Sequence, residues 1–336
     1  MRLRDILVCM ALWLAVGAAA KGQRVEEARF VELGGIQQWV TIRGDDQDKP
    51  VLLVVHGGPG DVLSPHVDEF ESYEAEFIVV QWDQRGSGRT YGLYGDETPE
   101  LTLARVAADG IELAAYLKQY LQKEKVIVLG HSWGSVIAIE MVTRRPDLFG
   151  AYVGTGQVAS WERSVQAQFD FLETQAQRTG DPELSADLEA IQPLGPGSLE
   201  HFRLLNAPLR RHLTDADATW LGELREWATR TLSEQELSDL SGGMTFSGGS
   251  LISTQIQVDL FETAPRLEAP MFVIQGQNDL FTPTGPAIAY FEYVEAPIKK
   301  LVVIAGAGHF ALLTHQSAFL EALLDATRDV SAVRDE

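Results

Sequence analysis

The chain has 336 residues, enough for about two domains of roughly 150 residues or for one α/β domain with a large insertion. Hydrophobic residues make up 45% and charged residues 22%, a balance that excludes a mainly disordered chain. The net charge of -21 would repel a polyanion, and no basic stretch offsets it locally, so nucleic acid is excluded as a partner.

The first 20 residues have the pattern of a signal peptide. Two arginines precede an apolar stretch over residues 6–20, which ends in three alanines that form a small-residue cleavage site. We therefore expect export to the periplasm or the cell exterior after removal of residues 1–20. The alternative is a membrane anchor formed by residues 6–20, although a span needs about 20 apolar residues. The only cysteine, Cys9, lies in this stretch, so the mature chain would have no cysteine nucleophile.

Short β-rich stretches alternate with helical patterns over residues 27–156 and again over 266–330. The first two, Val31–Leu33 and Gln37–Ile42, flank a Gly-Gly pair and predict a hairpin. The others are continuously apolar, which indicates burial on both faces of a parallel sheet. These are Val51–Val55, Phe77–Gln81, Val126–Leu129, Ala151–Gly154, Met271–Gln275 and Leu301–Ile304, with helical patterns at Leu101–Tyr120, Val136–Arg145 and Ser317–Thr327. The sequence predicts a doubly wound, mostly parallel α/β sheet.

The segment 157–265 differs because it contains helical patterns and no strand-like stretch. One of its helices should begin with a capping box formed by Ser233 and Glu236, and the pair Arg210-Arg211 is expected on a solvated helix face. The segment leaves the predicted sheet just after a strand, and ligands bind such sheets at the carboxyl ends of their strands. We therefore expect a helical cap over the binding site.

The strongest chemical signal is the G-x-S-x-G motif at residues 130–134 (GHSWG), between a predicted strand and a predicted helix. Glycines on both sides permit the sharp turn that would expose the hydroxyl of Ser132, the predicted nucleophile. The backbone N–H of the next residue, Trp133, is a predicted oxyanion donor. Residues 56–60 (HGGPG) follow an earlier strand, and the N–H of Gly58 is the predicted second donor.

A serine hydroxyl needs a base that takes its proton, and His309 lies in a glycine-rich loop after the last predicted strand. Asp279 follows the preceding strand, so Ser132, Asp279 and His309 occur in the order nucleophile, acid, base that one known triad arrangement uses. His315 and Asp259 are the alternative base and acid. No cofactor and no metal are expected, because phosphate-loop and zinc-peptidase motifs are missing and the histidines do not cluster with carboxylates in sequence.

Three motifs together resemble the α/β-hydrolase superfamily and, within it, the proline iminopeptidase group of serine aminopeptidases. They are residues 56–60 (HGGPG), residues 83–90 (DQRGSGRT) and residues 132–135 (SWGS). The resemblance covers roughly residues 27–156 and 266–330. It implies a helical cap over the triad, no cofactor, and release of an N-terminal residue, often proline, from short peptides.

The expected mechanism is attack by Ser132 on a carbonyl, with His309 as general base and then acid, Asp279 orienting the imidazole, and water clearing the acyl-enzyme. The favoured function is that of an aminopeptidase on short peptides or amides. A carboxylesterase on small or acyl esters and a non-catalytic binding protein on a hydrolase fold are the alternatives. An aminopeptidase must also meet a protonated amine with a carboxylate, and Glu162, close to the carboxyl edge of the sheet, is the predicted partner.

Overall fold

The computed structural model describes residues 22–195 and 198–332, so the predicted signal peptide, residues 1–20, lies outside the described residues. An eight-stranded sheet forms the centre of the described part. Its strands are β1 (Val25–Leu33), β2 (Ile36–Gly44), β3 (Val51–Val55), β4 (Ile78–Trp82), β5 (Val126–His131), β6 (Phe149–Thr155), β7 (Met271–Gly276) and β8 (Lys299–Ile304). They lie in the order β1-β2-β4-β3-β5-β6-β7-β8. Only β2 runs antiparallel to its neighbours, so the predicted doubly wound, mostly parallel sheet is confirmed.

The helices cover both faces of the sheet and fill the segment between β6 and β7. The first group is α1 (Glu71–Glu74), α2 (Gly88–Tyr94), α3 (Leu103–Tyr120) and α4 (Trp133–Arg144). The helical insertion, residues 161–263, contains α5 (Trp161–Thr179), α6 (Pro182–Ile191), α7 (Leu199–Arg210), α8 (Asp215–Thr231), α9 (Glu234–Gln255) and α10 (Leu260–Thr263). The last group is α11 (Thr284–Tyr293), α12 (Ala311–Thr314) and α13 (Gln316–Ala332). None of these described helices has both the length and the apolar composition that crossing a membrane requires.

The predicted hairpin is present as β1 and β2, and both strands are longer than their apolar residues suggested. Gly34 and Gly35 join them with φ values of 56° and 76°, a backbone region that favours glycine. Along β1, exposed and less exposed residues alternate, because one side of this edge strand faces solvent. The residues before Val31 do not alternate between apolar and polar, since Glu27 and Arg29 lie on the less exposed side and Ala28 and Phe30 on the exposed side. The sequence therefore did not show where the strand begins.

Both faces of the central strands are buried, as their continuous apolarity predicted. All five residues of β3 are buried. Val51, Leu53 and Val55 pack into a hydrophobic cluster with α3 and α4, and the residues between them pack into a second cluster with α12 and α13. The period of two along a strand thus divides one apolar stretch between two helix layers.

The helical insertion leaves and rejoins the sheet domain at one place. Ser160 and Asp259 form an isolated β-bridge, flanked by hydrogen bonds from Trp161 N to Val258 O and from Leu260 N to Ala159 O, both 2.8 Å long. A third hydrophobic cluster is built by α5, α6 and α7 together with Leu280 from the loop after β7. The predicted capping box at the start of α9 is confirmed, because Ser233 and Glu236 exchange side-chain to backbone hydrogen bonds there.

Candidate active site

Ser132 occupies a sharp turn between β5 and α4, at the carboxyl edge of the sheet. Its φ of 55° and ψ of -126° are unusual for a residue that carries a side chain. The turn requires glycine at position 134, because a Cβ added to Gly134 would lie 2.1 Å from the carbonyl oxygen of Val55. The backbone N–H of Ser132 donates to the carbonyl of Thr155 at 3.0 Å and thereby joins the turn to β6. This is the strand-turn-helix geometry of a nucleophile elbow.

Asp279 and His309 follow β7 and β8 and contact each other directly. The Nδ1 atom of His309 lies 3.0 Å and 2.9 Å from the two carboxylate oxygens of Asp279. Both side chains are buried. Because Nδ1 faces the carboxylate, the other ring nitrogen of His309 remains for proton exchange with a neighbouring group.

Ser132 and His309 border the same cavity. Gly156, which follows β6, lies next to both residues. A Cβ added to Gly156 would be 2.8 Å from Cε1 of His309 and 3.4 Å from the backbone nitrogen of Ser132. The structure therefore brings the three predicted triad residues, Ser132, Asp279 and His309, to one place.

Four hydrogen bonds fix the carboxylate of Asp279. The backbone N–H groups of Phe281 and Thr282 donate to Oδ1, each at 2.9 Å. The side chains of Gln275 and Thr282 donate to Oδ2 at 3.0 Å and 2.8 Å. The carboxylate is thus held in one orientation toward His309, which is what a residue that sets the tautomer of an imidazole requires.

Asp217, from α8 in the helical insertion, binds the loop that carries His309. Its Oδ2 accepts from the backbone N–H of His309 at 2.7 Å, and its Oδ1 accepts from that of Phe310 at 3.4 Å. The side chain is 1% exposed, and burial raises the pKa of Asp217. Sequence reasoning missed this residue, because the contact joins positions 92 residues apart and the insertion contains many other acids.

The two predicted oxyanion donors, Gly58 and Trp133, border the cavity beside Ser132. Trp133 is the first residue of α4, so its N–H has no acceptor within the helix and lies at the positive end of the helix dipole. The loop that carries Gly58 packs directly on the nucleophile, since a Cβ added to the adjacent Gly57 would lie 2.9 Å from Cβ of Ser132. This arrangement can supply backbone donors to an oxyanion formed at Ser132.

His131, the residue before Ser132, supports the backbone of His309. Its Nε2 lies 3.2 Å from the carbonyl oxygen of His309, and the centroids of the two rings are 4.8 Å apart. Burial lowers the pKa of His131 to about 3, so the ring is neutral near pH 7. A carbonyl oxygen only accepts, hence Nε2 of His131 carries the proton and donates it.

The cavity at Ser132 has a volume of about 230 Å³ and is mostly apolar. The helical insertion contributes Trp161 and Phe202 to its wall, and the sheet domain contributes Phe281 and Phe310. Besides His309 and His131, the ionisable residues on its wall are one acid, Asp61, and one base, Arg210. Sequence reasoning had selected neither of them for a role in binding.

Three residues considered from the sequence lie outside this cavity. Glu162 is exposed in the first turn of α5 and does not border the cavity, contrary to the expectation that it faces Ser132. The neighbouring Trp161 does border it, and successive residues of a helix point about 100° apart, which turns Glu162 toward solvent. Asp259 instead caps α10, and Nδ1 of His315 lies 3.0 Å from the hydroxyl of Thr314.

Among residues 22–195 and 198–332, no group of three or more histidine, aspartate or glutamate side chains is arranged to hold a metal ion. The alpha/beta hydrolase fold family model matches residues 50–316, which include Ser132, Asp279 and His309. The chain belongs to the alpha/beta hydrolase fold family. The resemblance inferred from the three sequence motifs is thereby confirmed at the level of the superfamily.

Relatives of this alpha/beta hydrolase include several peptidases. The chain is 27% identical over 301 residues to a protein from Bacillus subtilis strain 168 described as probable aminopeptidase YbaC, with 87% of this chain and 93% of the relative covered. It is 24% identical over 311 residues to a proline iminopeptidase of Lactobacillus delbrueckii subsp. bulgaricus, with 88% and 96% covered. The protein is therefore an alpha/beta hydrolase distantly related to proline iminopeptidases.

Solved structures share the fold of this alpha/beta hydrolase. The proline iminopeptidase of Mycobacterium smegmatis superposes with a TM-score of 0.64 at 19% identity, covering 92% of this chain and 100% of its own. A proline iminopeptidase-related protein from Thermus thermophilus gives 0.62 at 21% identity, with 91% and 98% covered. A thermophilic esterase from Thermogutta terrifontis gives 0.52 at 21% identity, with 92% and 99% covered.

Proposed function

We propose that the protein is a serine aminopeptidase that releases the N-terminal residue of short peptides. The observation that carries this proposal is the cavity whose wall includes Ser132, Asp61 and His309, with His309 in contact with Asp279. The descriptions of the relatives as an aminopeptidase and as proline iminopeptidases support the choice of peptides as substrates.

In the proposed reaction, the Oγ atom of Ser132 attacks the carbonyl carbon of the N-terminal residue while His309 takes its proton. The backbone N–H groups of Gly58 and Trp133 stabilise the oxyanion. His309 then gives the proton to the leaving nitrogen, the C–N bond breaks, and an acyl-enzyme remains on Ser132. Water, deprotonated by His309, attacks this ester. His309 then returns the proton to Oγ of Ser132 as the C–O bond breaks, which releases the free N-terminal residue.

Asp61 takes the role that the sequence had suggested for Glu162, that of a partner for the substrate's protonated amine. It follows the glycine loop directly, and its Oδ1 accepts from the backbone N–H of Val62 at 2.9 Å. No described residue donates to its Oδ2. Burying an ammonium group costs several kcal/mol unless an opposite charge meets it, and Asp61 supplies that charge beside Ser132.

A carboxylesterase is the second candidate, and the apolar wall of the cavity favours it. Trp161, Phe202, Phe281 and Phe310 provide aromatic surface that suits an acyl or alkyl group as well as a proline ring. The two candidates differ in what they require of the substrate's amine. An esterase has no need of a free ammonium group near Asp61.

The deciding experiment compares amino-acid arylamides, their N-acetylated analogues and p-nitrophenyl esters. We expect proline and other amino-acid arylamides with a free amine to be cleaved, and their N-acetylated analogues to be poor substrates. Ser132→Ala should lower kcat by a factor on the order of 10⁴ to 10⁶ on every substrate. Cleavage of esters together with equal rates on free and acetylated amides would contradict the aminopeptidase proposal.

Asp61→Asn and Glu162→Gln form a matched pair of charge removals, one in the cavity and one outside it. Pairing of Asp61 with the amine predicts that Asp61→Asn raises KM for free-amine substrates about 10-fold or more. Glu162→Gln should leave KM for the same substrates unchanged. Equal KM effects of the two variants would remove Asp61 from amine binding.

A further inference from the structure

Arg210, the last residue of α7, brings a positive charge to the wall of the cavity at Ser132. Its guanidinium carbon lies 5.4 Å from the centroid of the Phe281 ring. The same ring lies 5.1 Å from the ring of His309. One aromatic side chain therefore separates this cation from the predicted general base.

Arg210 makes no ion pair with any residue in the described ranges, although acids are abundant in this chain. Its neighbour Arg211 binds two carboxylates of α6, Glu183 at 2.6 Å and Asp187 at 2.7 Å. Both arginines are exposed, in agreement with the expected solvated helix face, and Arg210 in addition borders the cavity. An unpaired guanidinium offers a planar fork that binds a carboxylate through two parallel hydrogen bonds.

The cavity holds opposite charges that do not neutralise each other. Asp61 borders it beside the oxyanion loop and Arg210 borders it from the helical insertion, and no ion pair joins the two. A ligand with an ammonium group at one end and a carboxylate at the other complements both. The volume of about 230 Å³ suits a small ligand, and each added residue would move a terminal carboxylate about 3.5 Å further along an extended chain.

We propose that Arg210 binds the free C-terminal carboxylate of the substrate, so that the preferred substrates are zwitterionic di- or tripeptides. This inference rests on the proposed aminopeptidase function and adds the substrate class. The amine meets Asp61, the scissile carbonyl lies at Ser132, and the carboxylate of the leaving part meets Arg210. Arg210 acts on substrate selection and takes no part in the transfer of the proton.

The test uses the dipeptide prolyl-alanine and prolyl-alanine amide, which share the scissile bond and differ in the terminal charge. Wild-type enzyme should cleave the free acid with a kcat/KM at least about 10-fold above that of the amide. Arg210→Gln should lower kcat/KM on the acid about 10- to 100-fold and abolish the preference for the acid over the amide. The control Arg211→Gln, which removes two surface ion pairs, should retain the wild-type preference.

Equal cleavage of acid and amide by the wild type, or an equal loss on both in Arg210→Gln, would overturn the role of Arg210. Cleavage of neither peptide would count against the aminopeptidase proposal alone. In that case both peptides are measured as inhibitors of p-nitrophenyl acetate hydrolysis. If the acid inhibits the wild type and Arg210→Gln weakens that inhibition, the proposed carboxylate site is supported. If acid and amide inhibit equally in the wild type and in Arg210→Gln, the site is rejected.

Discussion

At the scale of single residues, Asp217 shows how a side chain outside the cavity can serve the chemistry within it. It does not border the cavity, yet its carboxylate holds the backbone N–H of His309 at 2.7 Å. An ionised oxygen makes a stronger hydrogen bond with a backbone N–H than a neutral amide oxygen does. If His309 is the general base, as proposed, Asp217 positions its backbone while Asp279 contacts its ring.

The substitution Asp217→Asn is expected to lower kcat about 10- to 100-fold with little change in KM. The amide keeps one acceptor, and its NH₂ group would face a backbone N–H that needs an acceptor. The measurement is steady-state kinetics on one arylamide, with the exposed Asp215→Asn on the same helix as control. A rise in KM without a fall in kcat would show that Asp217 acts on substrate binding instead.

Site residues that lie in a sequence motif or directly after a predicted strand could be predicted from the sequence. Site residues that come from helices of the insertion could not. Ser132 lies within a motif, and Asp279 and His309 each follow a strand, so local pattern and chain order were sufficient to bring them together. Arg210 and Asp217 come from helices whose faces depend on tertiary packing. No spacing in the sequence connects either of them to the sheet edge.

At the scale of elements, the motif at residues 83–90 ties the loop after β4 to α3 and the hairpin. Arg85 Nε donates to Asp109 of α3 at 2.8 Å, and the same guanidinium donates to the carbonyls of Gly34 and Pro99 at 2.9 Å and 2.8 Å. The side chains of Arg85 and Asp109 are 1% and 0% exposed. The ion pair thus joins three elements in a place that water does not reach.

Replacing Arg85 with methionine should lower the free energy of unfolding by about 3 kcal/mol, because Asp109 would stay buried without its main partner. The measurement is a denaturant titration, with Arg145→Met as control, since the exposed pair of Arg145 and Asp147 contributes little. The double variant Arg85→Met/Asp109→Leu should recover part of the loss. A single variant as stable as the wild type would show that Arg105, the other partner of Asp109, is sufficient.

The positions of strands and helices along the chain could be predicted better than the side that each helix turns toward the site. The strands β3 to β7 carry apolar residues that both helix layers bury, so the sequence marks them clearly. In β8, at the edge of the sheet, only Ile304 is buried, contrary to the burial on both faces that its apolar residues predicted. The segment 157–265 was predicted to be helical, but the side that α5 turns toward Ser132 was not predicted. Glu162 was therefore selected although it does not border the cavity. The face of a helix is set by the elements it packs against, and α5 packs against α6, α7 and the loop after β7 that carries Leu280.

At the scale of the whole molecule, buried histidines make stability depend on pH. Burial lowers the pKa of His66 to about 4 in the folded protein, whereas the pKa in the unfolded chain is near 6.5. At pH values between these two, the ring is neutral in the folded protein and protonated in the unfolded chain. Between these two values the unfolded state binds more protons, and the contribution of His66 to stability falls as the pH falls. Above pH 6.5 this contribution is fully present.

The variant His66→Phe, which keeps a ring against Trp227, should therefore gain stability relative to the wild type as the pH falls from about 6.5 to 4. The difference in unfolding free energy between the variant and the wild type should change by up to about 1.4 kcal/mol per pH unit. Denaturant titrations of both proteins at several pH values across this interval provide the measurement. Unfolding free energies that run parallel with pH would contradict the assignment of a neutral His66.

The β-bridge between Ser160 and Asp259 has a consequence for how such a protein can evolve. The two residues are 99 positions apart in sequence, yet they are neighbours in space, so the helical insertion begins and ends at adjacent points. A different segment whose ends meet at the same place could replace this one without a change in the path of the chain through the sheet. Substrate range and chemistry can then be inherited separately, provided that each new segment supplies a carboxylate to the backbone of His309, as Asp217 does here.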